Sequence, residues 1–219
     1  MRLLIGNKNY SSWSLRPWLL LKHAGIAFEE EVISFNADDF KARVGRYSKA
    51  GKVPLLVDGD VVVWDSLAIV EYVADKYPDK KLWPADIARR AHARAIVAEM
   101  HSSFQAMRST LVMNFETTFP TPLLTVAVQR DVARIIAIWS DCREKYGKDG
   151  PFLFGAFSIA DAYFAPVVRR FVAYNIPHPP VVASYIAQIT GLPAMQAWAE
   201  SARQEHDFVP EDEPYRTGR

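Results

Sequence analysis

The run of residues 48–77, SKAGKVPLLVDGDVVVWDSLAIVEYVADKY, constrains the fold most because it contains two strands, a turn and a helix start. The short apolar segments Leu55–Val57 and Val61–Val63 flank Asp58-Gly59, a dipeptide suited to the positive φ angles of a tight hairpin. Beyond them the apolar residues recur at helical spacing, and Ser66 stands at the N-cap position. The run therefore predicts an antiparallel hairpin and then a helix that begins at Ser66.

The chain ahead of this run alternates between strand and helix patterns. The segments are Leu3–Ile5 (strand), Leu15–Ala24 (helix), Phe28–Ile33 (strand) and Asp38–Tyr47 (short exposed helix). Together with the hairpin and its helix they give the order βαβαββα, with a right-handed first crossover. This order is the one that a thioredoxin-like domain needs, and we expect it over residues 1–77.

The remainder of the chain shows helix patterns and no convincing strand. The Pro-containing residues 78–84 interrupt every periodicity and predict the joint between two domains. One apolar stripe predicts a single long helix, and it comprises Ala93, Val97, Met100, Phe104, Met107 and Leu111. A second stripe runs from Val128 through Cys142 to Tyr146, so Cys142 is expected to be a buried packing residue.

The last third of the chain predicts three more helices. Ser158 and Asp161 form a variant of the capping box and predict the start of a buried helix, with a folding role and not a catalytic one. Two shorter helices follow at Val181–Ile189 and Pro193–Arg203, and the tail from His206 is expected to be irregular. We therefore predict the α+β class, with an all-helical C-terminal domain over residues 86–219.

Composition narrows the function classes. Half of the 219 residues are hydrophobic, the net charge is +1 and charges of both signs are interspersed, so no broad field favours nucleic acid or a membrane surface. A single cysteine excludes an intrachain disulfide and a multi-cysteine zinc site and is typical of a reducing cytoplasm. No apolar run reaches the length of a membrane span, and we expect no targeting segment. A cytoplasmic protein with small-molecule partners is expected.

Two dipeptides in the central run have binding chemistry. Pro54 at the start of a strand indicates a sheet edge or a cis bond, and either would leave the Val53 backbone free to pair with an extended peptide. The helix N-terminus at Ser66 offers N–H groups to a carboxylate, with Asp65 beside it for an ammonium. The plain alternatives are an ordinary N-cap and a trans peptide bond.

A second candidate site lies between the first strand and the first helix, in the sequence NYSSWSLRPW. Pro17 is comfortable only in the opening turn of a helix, which places Ser11 and Ser12 at or just before its N-terminus. A donated hydrogen bond and the helix field both favour a thiolate over a thiol. The alternative is that these serines only cap the helix.

The segment GKVPLLVDG followed by DSLAIVEYV, together with FSIADAYFAP, resembles the cytosolic glutathione transferases over the whole chain. The resemblance implies glutathione as co-substrate, held by Lys52, Val53, Pro54, Asp65 and Ser66. Ser11 followed five positions later by Arg16 reproduces the spacing of the serine-type classes, zeta and tau among them. Ser11 is thus the first candidate for thiolate stabilisation, Ser12 the reserve and Tyr10 the other alternative.

Three residues depart from the zeta-class pattern. Trp13 stands where the zeta-class run SSCS has cysteine, Lys49 replaces the usual proline, and Asp65 is one methylene shorter than the commoner glutamate. The resemblance therefore implies glutathione chemistry without fixing the zeta class and its isomerisation of maleylacetoacetate.

The resemblance favours a transferase that detoxifies a small hydrophobic electrophile as a homodimer. A glutathione-dependent isomerase or reductase is one alternative, and a non-catalytic glutathione-binding module is another. The second substrate is expected against the long helix after the joint, where His101, Phe104 and Arg108 are candidates. No spacing predicts a metal site, and no phosphate loop or nucleic-acid motif is found.

Overall fold

The computed structural model describes residues 1–216 and has a four-stranded sheet followed by a helical region. The first region comprises β1 (Arg2–Ile5), α1 (Ser12–His23), β2 (Glu29–Val32), α2 (Phe40–Gly45), β3 (Leu55–Asp58), β4 (Val61–Trp64) and α3 (Ser66–Lys76). The second comprises α4 (Ile87–Ser102), α5 (Gln105–Thr110), α6 (Val126–Tyr146), α7 (Ile159–Ala173), α8 (Pro180–Thr190) and α9 (Pro193–Gln204). The predicted order and the α+β class are confirmed.

The sheet has the strand order β2-β1-β3-β4, in which β1 runs parallel to β2 and antiparallel to β3. Leu3, Leu4, Leu55 and Leu56 of the inner strands are fully buried, because helices and loops cover both faces there. The domain boundaries at residues 77 and 86 stay predictions, and residues 217–219 of the second predicted domain lie outside the described residues.

The proline before β3 is not at a sheet edge, since β3 is an inner strand, and that interpretation was wrong. The predicted cis peptide bond between Val53 and Pro54 is confirmed. The ladder with β1 begins at Leu55, and no backbone hydrogen bond within residues 1–216 uses Val53.

Two positions in the hairpin and helix differ from prediction by one residue. The turn is formed by Gly59 and Asp60, because Asp58 pairs with Val61 as the last residue of β3, and Gly59 alone has a positive φ of 61°. The helix cap is Asp65, whose Oδ1 accepts the N–H of Leu67 at 2.7 Å.

The predicted long helix after the joint is in fact two helices. Phe104 has a left-handed backbone, with φ of 64° and ψ of 34°, and separates α4 from α5. The apolar stripe is nevertheless buried, because α5 turns onto α6, where Asp131 accepts the N–H of Met107 at 2.9 Å. Tertiary packing therefore outweighs the regular spacing of the sequence.

The helix α7 lies at the centre of the second region, packs against α1, α4 and α8, and is buried on almost every side. Its predicted capping box is confirmed. The N–H and Oγ of Ser158 both donate to Oδ2 of Asp161, at 2.9 and 3.1 Å, and the N–H of Leu153 donates to Oδ1 at 3.1 Å. Asp161 is fully buried, and these three hydrogen bonds to its carboxylate join the start of α7 to the preceding loop.

The tail after α9 returns to the loop between β1 and α1. The carboxylate of Glu205 accepts the N–H groups of Lys8 and Asn9, and Glu213 accepts the hydroxyl of Tyr10 at 2.9 Å. Over residues 206–216 the tail is irregular as predicted, apart from one 3-10 turn at Pro210–Asp212. None of the helices in residues 1–216 is long and apolar enough to cross a bilayer.

The capping box generates a prediction about stability. Ser158→Ala removes one hydroxyl and should lower the free energy of unfolding by about 1 kcal/mol. Asp161→Ala leaves the buried N–H groups of Leu153 and Ser158 without an acceptor and should lower it by about 3 kcal/mol. Urea unfolding measures both changes. Asp141→Ala, which removes a half-exposed acid paired with Lys145, should change it by less than about 0.5 kcal/mol. Equal small losses at Ser158 and Asp161 would contradict the structural role of the buried carboxylate.

Candidate active site

Ser11 is the residue before α1, and its hydroxyl does not cap the helix. Its N–H donates to the carbonyl of Asn7 at 2.7 Å, and its Oγ donates to Oγ of Ser14 at 2.8 Å. The same Ser14 oxygen accepts the N–H of Gly6 at 3.2 Å. The loop between β1 and α1 is therefore fixed around a pair of hydroxyl groups.

Two adjoining cavities lie beside this loop. The first, which we call the serine cavity, has a volume of about 370 Å³, and its walls include Ser11, Ser12, Trp13, Lys52, Arg108 and Arg170. The second, which we call the proline cavity, has a volume of about 420 Å³, and its walls include Lys52, Val53, Pro54, Asp65, Ser66 and His101. Trp13, Lys52 and Val53 border both cavities. The structure thus brings the five residues predicted to hold glutathione together and places the two serines next to them.

The indole of Trp13 is packed by three side chains. The guanidinium carbons of Arg16 and Arg108 lie 4.0 and 4.7 Å from the ring centroid, and the imidazole of His101 meets the ring edge-on at 5.4 Å. Both contacts with arginine are of the cation–π type. The border between the cavities is therefore a fixed aromatic ring with two positive charges against it.

Arg16 is fully buried, which is unusual for an arginine. Its Nε donates to the carbonyl of Tyr163 at 3.3 Å and its guanidinium lies over the Tyr163 ring, but Nη1 and Nη2 have no partner within the described chain. Burial lowers the pKa of Arg16 to about 9, and Arg170 and Arg108 add to that decrease. Arg16 is therefore still charged at neutral pH, and its charge is only partly compensated.

Four polar side chains from both regions form a ring, which we call the interdomain ring: Asp65, His101, Tyr163 and Ser66. Oδ2 of Asp65 lies 3.4 Å from Nε2 of His101, and Nδ1 of His101 lies 3.3 Å from the Tyr163 hydroxyl. The Tyr163 hydroxyl lies 2.9 Å from Oγ of Ser66. Burial lowers the pKa of His101, which favours the neutral imidazole, and raises the pKa of Tyr163 to about 12. The ring fixes the start of α3 against α4 and α7.

The three residues predicted for the second substrate are separated in the structure. Arg108 borders the serine cavity, whereas His101 borders the proline cavity. Phe104 is only 5 % exposed at the break between α4 and α5 and is not among the residues that line either cavity. The single long helix on which these candidates were predicted to lie is broken at Phe104, so they do not border one cavity. Their roles stay predictions.

Sequence reasoning missed several polar groups at this site. Ser14 could have been found, because it lies three residues after Ser11 on the same helix face. Tyr163 and Arg170 are in the buried helix α7, and no local pattern marks them. Tyr10, the alternative to the serines, has its hydroxyl bound to Glu213, and burial raises its pKa.

One group of metal-ligand side chains occurs in the described residues, away from both cavities. His92, Asp141 and Cys142 bring three ligand atoms within 4.8 Å of one another. Asp141 already pairs with Lys145, and burial raises the pKa of the Cys142 thiol to about 12, which disfavours the thiolate that a metal needs. The absence of a metal stays a prediction.

Comparisons with known proteins agree with this geometry. Residues 10–76 match the glutathione S-transferase N-terminal domain model and residues 125–201 match the C-terminal domain model. A probable maleylacetoacetate isomerase of Caenorhabditis elegans is 34% identical, but this chain spans only 47% of its length and the alignment covers 47% of this chain. Glutathione S-transferase Z1 of Arabidopsis thaliana is 27% identical over 86% of this chain and 89% of its own.

A solved structure supports the fold over nearly the full length. A glutathione transferase homologue from Burkholderia, with bound glutathione, superimposes with a TM-score of 0.71 at 24% identity, over 92% of this chain and 97% of that one. The two domain models together match about two thirds of the chain, in the order of the two regions described above. The chain therefore belongs to the glutathione S-transferase family.

Proposed function

We propose that this protein is a glutathione transferase, which binds glutathione in the proline cavity and joins it through its sulfur to an electrophilic carbon in the serine cavity. The observation that carries the proposal is the position of Ser11, whose hydroxyl lines a cavity that adjoins the candidate peptide site across Val53. A thiol placed at this border would meet both the hydroxyl and the second cavity.

The proline cavity suits a tripeptide with two carboxylates and one ammonium. The Val53 backbone lies beyond the end of the β-ladder, so it is free to pair with an extended peptide. Ser66 lies in the first turn of α3, where N–H groups and the helix field favour a carboxylate. Asp65 is exposed enough to meet an ammonium, and Lys52 offers a positive charge at the border.

The serine pair is suited to stabilise a thiolate. Hydroxyl protons rotate, so Ser14 can donate to Ser11 while the Ser11 hydroxyl donates to the sulfur. The positive charge of Arg16, behind Trp13, favours the same anion. The thiol proton passes to solvent, the sulfur forms a bond to the electrophilic carbon, and the leaving group departs with its bonding electron pair.

An isomerase is the second candidate. It is favoured by the relative named probable maleylacetoacetate isomerase, and in that reaction the thiolate would add to the substrate and leave again unchanged. Detoxification and a cytoplasmic location rest on the resemblance and on the single cysteine, and both remain part of the proposal.

The homodimer is also a proposal. The edge strand β4 and helix α3 expose an apolar surface around a shallow hollow, whose walls include Val62, Val63, Trp64, Leu67 and Ala68. Trp64 is 54% exposed although it is one of the largest apolar side chains. A second copy that covers this surface would bury it.

Removal of the Ser11 hydroxyl tests the catalytic role. Ser11→Ala should raise the thiol pKa of bound glutathione by about one to two units, because a hydrogen bond to a charged group is lost. Thiolate absorbance in the ultraviolet, followed against pH at saturating glutathione, measures the change. Glutathione affinity by calorimetry should stay within about twofold.

Ser12→Ala is the matched control, because Ser12 is equally buried on the same cavity wall. A change in the thiol pKa that occurs only in Ser12→Ala would assign the stabilisation of the thiolate to Ser12 instead of Ser11. If neither variant alters the titration and bound glutathione titrates as it does in free solution, the catalytic proposal fails.

Removal of the Ser66 hydroxyl tests the binding role. Ser66→Ala should weaken glutathione binding about tenfold to a hundredfold, as expected for a lost hydrogen bond to a carboxylate. Calorimetry measures the affinity. Tyr163→Phe is the control, because it removes the other hydroxyl of the Ser66 contact. Equal weakening in both variants would assign the effect to the interdomain ring and not to the ligand.

Disruption of the apolar surface tests the dimer. Ala68→Glu places a charge in the hollow on α3 and should convert the dimer to a monomer in sedimentation velocity, because a buried unpaired charge is costly. Leu123→Glu is the control, since Leu123 is 98% exposed in another part of the chain. Dissociation by Leu123→Glu alone would place the interface elsewhere, and a monomeric parent protein would refute the dimer.

A further inference from the structure

Three arginines around the serine cavity form no ion pair with an acidic residue in the part of the chain that the structure describes. Arg108 and Arg170 form part of its wall, and Arg16 lies behind the ring of Trp13. Other arginines of the chain pair with acids, as Arg134 does with Glu99 through two hydrogen bonds. None of the ion pairs found within residues 1–216 includes Arg16, Arg108 or Arg170.

The hydrogen bonds of the two wall arginines go to neutral oxygens. Arg170 donates to the carbonyls of Leu111 and Pro166, at 2.7 and 3.3 Å. Arg108 makes only long contacts, of 3.4 Å to the carbonyls of Met100 and His101 and of 3.3 Å to the Gln105 side chain. Neutral partners orient these guanidinium groups without neutralising their charge.

The positive charges also act on one another. Burial lowers the pKa of Arg170 to about 10, and Arg108 is the next contribution to that decrease. Burial likewise lowers the pKa of Arg108, with Asp131 of α6 opposing it. Asp212 is the acidic residue on the cavity wall, where burial raises the pKa of its carboxyl and Arg170 opposes that increase. An anion in the cavity would relieve this repulsion.

Part of the wall is apolar. Phe35, Phe40, Val112 and Met113 border the same cavity as the two arginines. A ligand that matches this surface has an apolar body and one negative group. Guanidinium groups bind carboxylates through paired N–H donors, which makes a carboxylate the matching anion.

We propose that the second substrate is an electrophile that carries a carboxylate, bound by Arg108 and Arg170 while its reactive carbon faces Ser11. This inference rests on the proposed function and narrows its small hydrophobic electrophile to an anionic one. Glutathione keeps its own carboxylate contacts at Ser66 and Lys52 in the proline cavity.

Two electrophiles that share the same aromatic ring and undergo the same reaction test the inference: 4-chloro-3,5-dinitrobenzoate and its methyl ester. In both, the glutathione sulfur forms a bond to the ring carbon, the carbon–chlorine bond breaks, chloride leaves with the electron pair, and the thiol proton goes to the buffer. Each kcat/KM is divided by the uncatalysed rate constant with glutathione, so that only the contribution of the protein is compared.

The wild-type protein should favour the acid over the ester by about tenfold or more in this normalised rate. Arg108→Gln should lower the rate with the acid about tenfold to a hundredfold, mainly through KM, and leave the rate with the ester within about twofold. Arg108→Lys keeps the charge but lacks the planar guanidinium. Its rate with the acid should therefore lie between the rates of the wild-type protein and of Arg108→Gln. Arg134→Gln, at an exposed arginine distant from both cavities, should change neither rate.

Arg170→Lys is a second variant on the same cavity wall. Because Arg170 is buried, the urea unfolding midpoint of this variant is measured to separate a loss of stability from a loss of binding. An equal loss with acid and ester, accompanied by weaker glutathione binding in calorimetry, would overturn this inference and assign Arg108 to glutathione. A preference for the ester in the wild-type protein would also overturn it while leaving the transferase proposal intact. Absence of glutathione binding in the wild-type protein would refute both proposals.

Discussion

The burial of the Arg16 guanidinium between the rings of Trp13 and Tyr163 is the interaction on which the arrangement of the two regions depends. A buried charge is costly unless its surroundings compensate it, and here two aromatic faces and one carbonyl do so in part. Because Arg16 is on α1 and Tyr163 on α7, this compensation requires that the two helices pack together. The same contact brings the start of α1, with Ser11, to the boundary between the regions.

The interdomain ring and the tail complete this boundary from two sides. The ring holds the start of α3 through Ser66 and Tyr163, and the tail holds the loop before Ser11 through Glu205. Both cavities are therefore bounded by elements whose positions are fixed by polar contacts over long sequence separations. A site built in this way keeps its geometry without requiring that the short helices around it be stable alone.

Local periodicity predicted the strands, the hairpin and most helices, because these depend on neighbours in sequence. The turn lies one residue later than predicted because Asp58 stays in register with Val61, and the cap of α3 is Asp65 although the helix begins at Ser66 as predicted. The break at Phe104 left no signal, since a left-handed backbone is set there by the packing of α5 on α6. For the same reason the sequence pointed to Ser11, Val53 and Pro54 but not to Tyr163 or Arg170, which reach the site from a distant helix.

Trp13, one of the three departures from the zeta-class pattern, explains how the positive charges of Arg16 and Arg108 are held near the boundary between the two regions. Where the zeta-class run has cysteine, this chain has a ring with arginines within 4.7 Å of its centroid. A cysteine at this position would offer no aromatic face, and the charges of Arg16 and Arg108 would then be opposed only by Asp65 and Asp131, with which they form no ion pair within residues 1–216. Trp13 therefore allows the two charges to remain close together at the border of the two cavities. The proposed anionic substrate follows from this tryptophan and the arginines around it, which are particular side chains of this chain and not features of the fold.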